Sequence, residues 1–243
     1  FYGSPFASYM DRLEFERPGS FARDPEREED RLIASLGLAH EAAHVTTLRT
    51  AGTRLVEIER DAREDGVART LAAMSTGPDV VFQAALRLEP FAGFADFLER
   101  VSGASKLGDF HYEISDTKLA ASEKPSYLLQ LCAYAEMLEA AQGRRPEHVH
   151  VLLRGDVRRT FRTDDYFYVY REVKRAFLEA MAAFDADRPP EPDVGGDWGR
   201  WSGEAKRRLE TADSLALVAG MRADHVRRLR AEGIGTLTAL AKT

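Results

Sequence analysis

The chain has 243 residues and 27.1 kDa, of which 44% are hydrophobic and 30% charged, so it suits one large domain or one domain with a small appendage and excludes disordered and fibrous classes. A mean hydropathy of −0.37 and apolar runs no longer than residues 215–221 exclude a membrane-crossing helix. The net charge of −6 argues against a protein that coats nucleic acid over its whole surface, but residues 200–243 carry nine Lys/Arg against five Asp/Glu, a basic tail on an acidic body.

A single cysteine, Cys132, leaves no internal disulfide, no thiolate zinc site and no four-cysteine cluster, which fits a reducing compartment. Phe1-Tyr2-Gly3-Ser4-Pro5 has neither a basic stretch followed by an apolar run nor an initiator Met. The expectation is a cytoplasmic protein without secretion signal or membrane partner, processed or excised from a longer chain.

Residues 26–52 read as one long helix, with Leu32, Ile33, Leu36, His40, Ala43 and Leu48 at helical spacing and Gly52 as a stop. A strand over 54–59 and a helix over 62–75 follow, the helix closed by Gly77-Pro78. Strand-like runs then occupy 79–87, 93–100 and 110–118, the last two joined by a Ser- and Gly-rich hairpin loop at 101–108. Residues 124–142 form an amphipathic helix with Leu128, Leu131, Ala135 and Leu138 on one stripe. A short strand at 149–153, a pairing segment at 159–162 and an aromatic-rich helix at 165–184 complete the body. Four aromatics in five residues, Tyr166, Phe167, Tyr168 and Tyr170, read as core before they read as a stacking platform. Three prolines, four glycines and both tryptophans over 187–203 suggest a linker. Two short helices at 224–232 and 236–242 flank Gly233-Ile234-Gly235. Strands with helices outside them imply an α/β sheet layered with helices.

The chemistry centres on Asp116-Thr117-Lys118 at the end of a strand. Alternation puts Asp116 and Lys118 on one face, so that a carboxylate and an ammonium share a cavity. Asp96 lies in the preceding strand, and hairpin pairing of the two strands brings it to Asp116. Two carboxylates among apolar strand residues repel, and a divalent cation relieves them. A bare Asp-x-Lys is more often a structural ion pair; the neighbouring motifs shift that balance. Gly37-Leu38-Ala39-His40-Glu41 precedes it on a helix, and Gln130 and Tyr134 follow at i, i+4 on one helix face. Glu113 should point the other way and stays outside the site. His44, one turn beyond His40, is its rival.

The order Gly-x-x-His, Gly-x-x-Asp, Asp-x-Lys, Gln-x-x-x-Tyr resembles the RecB-type nucleases of the PD-(D/E)XK superfamily. The Ser4-Pro5-Phe6-Ala7-Ser8-Tyr9 opening is similar to theirs. Tyr112-Glu113-x-x-Asp116-Thr117-Lys118-Leu119-Ala120, Lys124-Pro125 and Asp213-Ser214-Leu215-x-Leu217-Val218-Ala219-Gly220 resemble a narrower group of RecB-like nucleases that often precede a helicase domain. The resemblance implies a restriction-endonuclease-like α/β fold, a mixed central sheet flanked by helices, with a nuclease domain over 1–187, a linker over 188–203 and a helix–hairpin–helix-like tail over 204–243. It implies a DNA phosphodiesterase acting with a helicase; a catalytically inactive nucleic-acid-binding or adaptor module and an RNA nuclease are the alternatives. Asp96, Asp116, the carbonyl of Thr117 and His40 would hold Mg²⁺ or Mn²⁺, Lys118 would orient the attacking water, and Gln130 and Tyr134 would position water, Lys118 or phosphate.

Many such nucleases carry an iron–sulfur cluster. Here Met10-Asp11 and Gly195-Gly196-Asp197-Trp198-Gly199-Arg200-Trp201 stand where the cysteines would be, so no cluster is expected, and packing by Trp198 and Trp201 takes over that staple. The tail reads first as a solvated helix pair that caps the domain. Its second reading is a phosphate contact through the glycine turn with Arg227, Arg228 and Arg230.

Overall fold

A computed structural model describes residues 1–59, 66–155 and 157–243. Its elements in chain order are α1 (Pro5–Glu16), α2 (Glu28–Thr50), β1 (Leu55–Glu57), α3 (Gly66–Thr76), β2 (Val80–Leu88), β3 (Phe91–Ser105), β4 (Gly108–Lys118), α4 (Pro125–Gln142), β5 (His148–Leu153), β6 (Val157–Arg162), α5 (Thr163–Ala182), α6 (Ser202–Thr211), α7 (Ala223–Ala231) and α8 (Leu237–Leu240), with single 3₁₀ turns at Gly199–Trp201 and Leu215–Leu217. The expected helix over 62–75 begins in residues outside those described. The chain forms two compact units, Glu28–Arg171 and Phe1–Arg27 with Glu172–Thr243.

The larger unit holds a six-stranded mixed sheet whose spatial order follows the chain, β1 to β6. β1–β2 and β4–β5 pair in parallel, the other neighbours antiparallel. Parallel neighbours require a crossover, and α3 and α4 supply the two. The mixed α/β sheet flanked by helices is therefore as the sequence implied. β2 is buried from Val80 to Leu86, which its unbroken run of mostly apolar residues already signalled. Leu128, Leu131, Ala135 and Leu138 of α4 join Leu98, Tyr112, Ile114, Val149 and Val151 in the main core. Pro125 opens α4 at its first turn and Gly143 closes it at φ 72°.

Two differences from the sequence expectations have clear causes. The Ser/Gly segment 101–108 is mostly strand, because β3 and β4 continue to Ser105 and Gly108 around a register shift between Ser102 and Ser105. The Ser105 hydroxyl secures that tip, accepting from the Leu107 amide at 2.9 Å and donating to the Phe110 carbonyl at 2.6 Å. On α2 the apolar stripe marks a helix but not a buried face: Leu32 and Ile33 are 59% and 60% exposed. Only its C-terminal half packs, through Val45 and Leu48 against Val80, Phe82 and Phe97. Phe167 and Tyr170 are core residues beside Cys132, while Tyr168 is exposed.

In the smaller unit, Ser4 caps α1 by accepting from the Ala7 amide, and Asp193 accepts from the Ser4 hydroxyl at 2.8 Å and the Phe6 amide at 3.1 Å. Trp201 is 1% exposed among Phe6, Met10 and Leu13, with Trp198 packed alongside, and its indole N–H donates to Asp11 at 2.8 Å. The stretch expected as a linker thus contributes the side chain that holds the N-terminal helix. In the tail, the Gly233 and Ile234 amides donate to the Arg230 and Leu229 carbonyls, closing α7. Gly233 adopts φ 82°, which this closure requires. Among the described residues no helix is long and apolar enough to cross a membrane.

Candidate active site

The hairpin of β3 and β4 pairs Phe97 with Ser115, which sets Asp96 beside Asp116 at the next position. Both carboxylates face one cavity of about 580 Å³ in the larger unit, with Thr117 and Lys118 of β4 and Gln130 and Tyr134 of α4 also in its wall. Six of the seven residues expected at the centre therefore meet there.

Asp116 is 3% exposed. Its carboxyl pKa is raised to about 7, first by burial and then by the Asp96 charge, with Lys118 opposing the rise. The pair thus favours holding one proton. Oδ2 of Asp116 is buried, with Lys118 Nζ 2.6 Å away as its counter-ion. Asp96 Oδ2 instead accepts from the Thr117 amide at 2.9 Å and the Thr117 hydroxyl at 3.0 Å. Lys118 donates to Gln130 Oε1 at 3.2 Å and lies 5.2 Å from the centre of the Tyr127 ring, so two residues of α4 fix its ammonium beside Asp116. Burial raises the Tyr134 phenol pKa, against the lowering by its hydrogen bond with Gln130. Tyr134 reaches the cavity because residue 93 is glycine: a Cβ there would stand 2.9 Å from its hydroxyl.

His40 is placed elsewhere. It lines a second cavity of about 220 Å³ with its rival His44, Leu152, Leu153 and Arg158, and its Nε2 lies 3.4 Å from the Leu152 carbonyl. Successive helix positions differ by about 100°, so the turn of α2 that presents Ala34, Gly37 and Leu38 to the acidic cavity presents Glu41 with them. The spacing His40-Glu41-Ala42-Ala43-His44 matches that by which a helix offers two imidazoles to zinc and a glutamate as general base; here both imidazoles line one cavity and Glu41 lines another. Among the described residues no group of three or more His, Cys, Asp or Glu closes into a metal site.

Glu41 and its partner Gln83 are the residues that sequence reasoning missed. Gln83 is buried in β2, adopts φ 57° and donates its side-chain amide to Glu41. Its one sequence signal is a polar side chain inside the apolar run Val80-Val81-Phe82-Gln83-Ala84-Ala85-Leu86.

Glu113 lies outside the cavity, as its place in the alternation required: His150 Nε2 is 3.1 Å from it and the His148 amide donates to it at 2.9 Å. Burial pushes its carboxyl pKa up, yet these partners leave it below the usual value. Arg227, Arg228 and Arg230 lie exposed on α7 in the smaller unit, Arg230 held by Glu191 at 2.8 Å.

The donor set fits a hard cation. Two carboxylates stand side by side on adjacent strands and face one cavity, and Mg²⁺ is commonly held by one or two carboxylates with water and phosphate completing the shell. No protein-family model matches the chain, and no curated protein matches it in sequence.

Proposed function

We propose that the chain is a metal-dependent nuclease that hydrolyses DNA phosphodiester bonds, working with a helicase domain or partner. The observation that carries this reading is the convergence of Asp96, Asp116 and Lys118 in one cavity, with Asp116 buried and its carboxyl pKa raised despite the neighbouring Lys118. Asp96, Asp116 and the Thr117 carbonyl would hold Mg²⁺ or Mn²⁺. The bound cation would supply charge stabilisation to the phosphoryl oxygens and acidity to a coordinated water.

Lys118 presents an ammonium where an attacking water or a phosphate oxygen would sit, oriented by Gln130. Tyr134, held in its protonated form by burial, positions Gln130 by a hydrogen bond. Asp116 must lose its proton to hold a cation, so cation affinity and cleavage rise as pH passes through the neutral range.

The test is cleavage of end-labelled single- and double-stranded DNA with Mn²⁺, Mg²⁺ or EDTA, using Lys118→Ala and Asp116→Ala as controls. Metal-dependent products that vanish in both variants support the reading. DNA binding without cleavage under any divalent cation replaces it with a non-catalytic binding module, and cleavage of RNA alone moves the substrate class.

A further inference from the structure

Gln83 breaks three local rules at one place. It is a polar side chain only 6% exposed in the second strand of the sheet. Its φ of 57° lies in the left-handed region, which a non-glycine residue adopts at an energetic cost. The β2–β3 ladder pairs Phe82 with Phe97 and Ala84 with Ala95, and so is interrupted at Gln83 and Asp96 alone between them. Strain of this kind persists where the surroundings impose it, and here they include the two carboxylate-bearing elements: Gln83 stands across from Asp96 and hydrogen-bonds Glu41, and both acids line the same cavity.

We propose that Gln83 is a positioning residue of the candidate active site. Its side-chain amide holds the Glu41 carboxylate at the cavity wall, and its left-handed backbone shapes the strand opposite Asp96. The inference rests on the nuclease reading. It makes the Glu41 carboxylate, in place of the expected His40 imidazole, the group that α2 contributes beside Asp96 and Asp116. An extended backbone at residue 83 would continue the ladder, and a side chain without a donor would leave the Glu41 carboxylate without this anchor.

Four proteins test it: the wild type, Gln83→Gly, Gln83→Met, and the exchange Gln83→Glu with Glu41→Gln. Each is assayed for kcat and KM in Mn²⁺-supported DNA cleavage and for its urea midpoint in EDTA. Glycine adopts a φ of 57° without cost, so Gln83→Gly keeps or raises the midpoint while kcat falls about 10- to 100-fold, the usual loss when a group supporting a ligand is removed. Gln83→Met shows the same loss of kcat with the strain retained. The exchange restores a hydrogen bond with donor and acceptor reversed, so it recovers the midpoint but not kcat, because the carboxylate has left the cavity wall. If kcat follows the midpoint through the series and the exchange recovers both, Gln83 only braces α2 on the sheet and the proposal falls. Full activity in Gln83→Gly also overturns it. An inert wild type under every cation overturns the nuclease reading itself.

Discussion

Asp116→Asn should stabilise the metal-free protein at alkaline pH while abolishing cleavage. In the folded state burial, and then Asp96, raise the carboxyl from 3.8 to about 7. Between those values the folded chain holds a proton that the unfolded chain has released, so the stability of the wild type falls as pH rises through that window. A shift of that size corresponds to at most about 4 kcal/mol by the conversion of 1.36 kcal/mol per pH unit. Asparagine removes the buried charge but also the partner that sits 2.6 Å from Lys118, whose side chain is 22% exposed and can regain water. The expected net gain is therefore about 1–3 kcal/mol at pH 8 and within about 0.5 kcal/mol of zero at pH 4, scaled down from the same linkage. Urea unfolding in EDTA at both pH values reads it directly. Saturating Mn²⁺ should close or reverse the gap at pH 8, since a cation that binds only the folded wild type stabilises it. A destabilised variant at pH 8, or a difference independent of pH, would refute the account of Asp116 as a buried carboxylate whose lysine only partly compensates it.

Other consequences concern packing and the tail. Gly93→Ala puts a Cβ 2.9 Å from the Tyr134 hydroxyl, so it should cost about 1–2 kcal/mol and lower activity; in a double-mutant cycle Tyr134→Ala should absorb most of that cost, and additivity would disprove the contact. Trp201→Ala empties a site that is 1% exposed and should cost about 3–5 kcal/mol, with hydrogen exchange rising first in α1; unchanged α1 protection would remove Trp201 as its anchor. If the tail contacts DNA, Arg227→Ala with Arg228→Ala should reduce the salt slope of binding by about two, whereas Arg230→Ala, which breaks a contact with Glu191, should leave it unchanged; equal slopes in all variants would assign the tail to capping.

What was legible in the sequence followed from periodicity of two. Once β4 is a strand, Asp116 and Lys118 must share a face and Glu113 must take the other, and a hairpin with β3 brings Asp96 alongside. Less was legible on α2, where one residue means a rotation of about 100°. The motif Gly37-Leu38-Ala39-His40-Glu41 locates the right helix turn, but whether His40 or Glu41 meets the cavity depends on how the helix lies on the sheet, which the packing of Val45 and Leu48 and the contact of His44 with Phe97 set through the fold and not through spacing. The exposed Leu32 and Ile33 show the same limit, since spacing names a stripe without saying what covers it. Trp201 was invisible as an anchor because its partners Phe6 and Met10 are some 190 residues away, within a stretch whose glycines and prolines read as linker. The backbone of Gln83 has no sequence signal beyond one polar letter.

The bland account of Asp116 and Lys118 is a structural ion pair, and the protein supplies its own control for that idea. On the opposite face of the same strands lie two more carboxylates, Glu113, which is buried, and Glu99, which is half-buried. Burial raises each, but hydrogen bonds from His150 and the His148 amide to Glu113, and from Arg158 and Ser115 to Glu99, bring both below their ordinary values. These acids have the partners a structural role requires. Asp116 has a lysine at 2.6 Å and still ends up raised, because burial and then the second carboxylate beside it outweigh the lysine. The same cavity holds the consequences of a left-handed glutamine and of a glycine that only a close tyrosine explains. Among the described strand residues the left-handed non-glycine backbone falls opposite Asp96, and strain of this kind gathers where a fold has been shaped around chemistry.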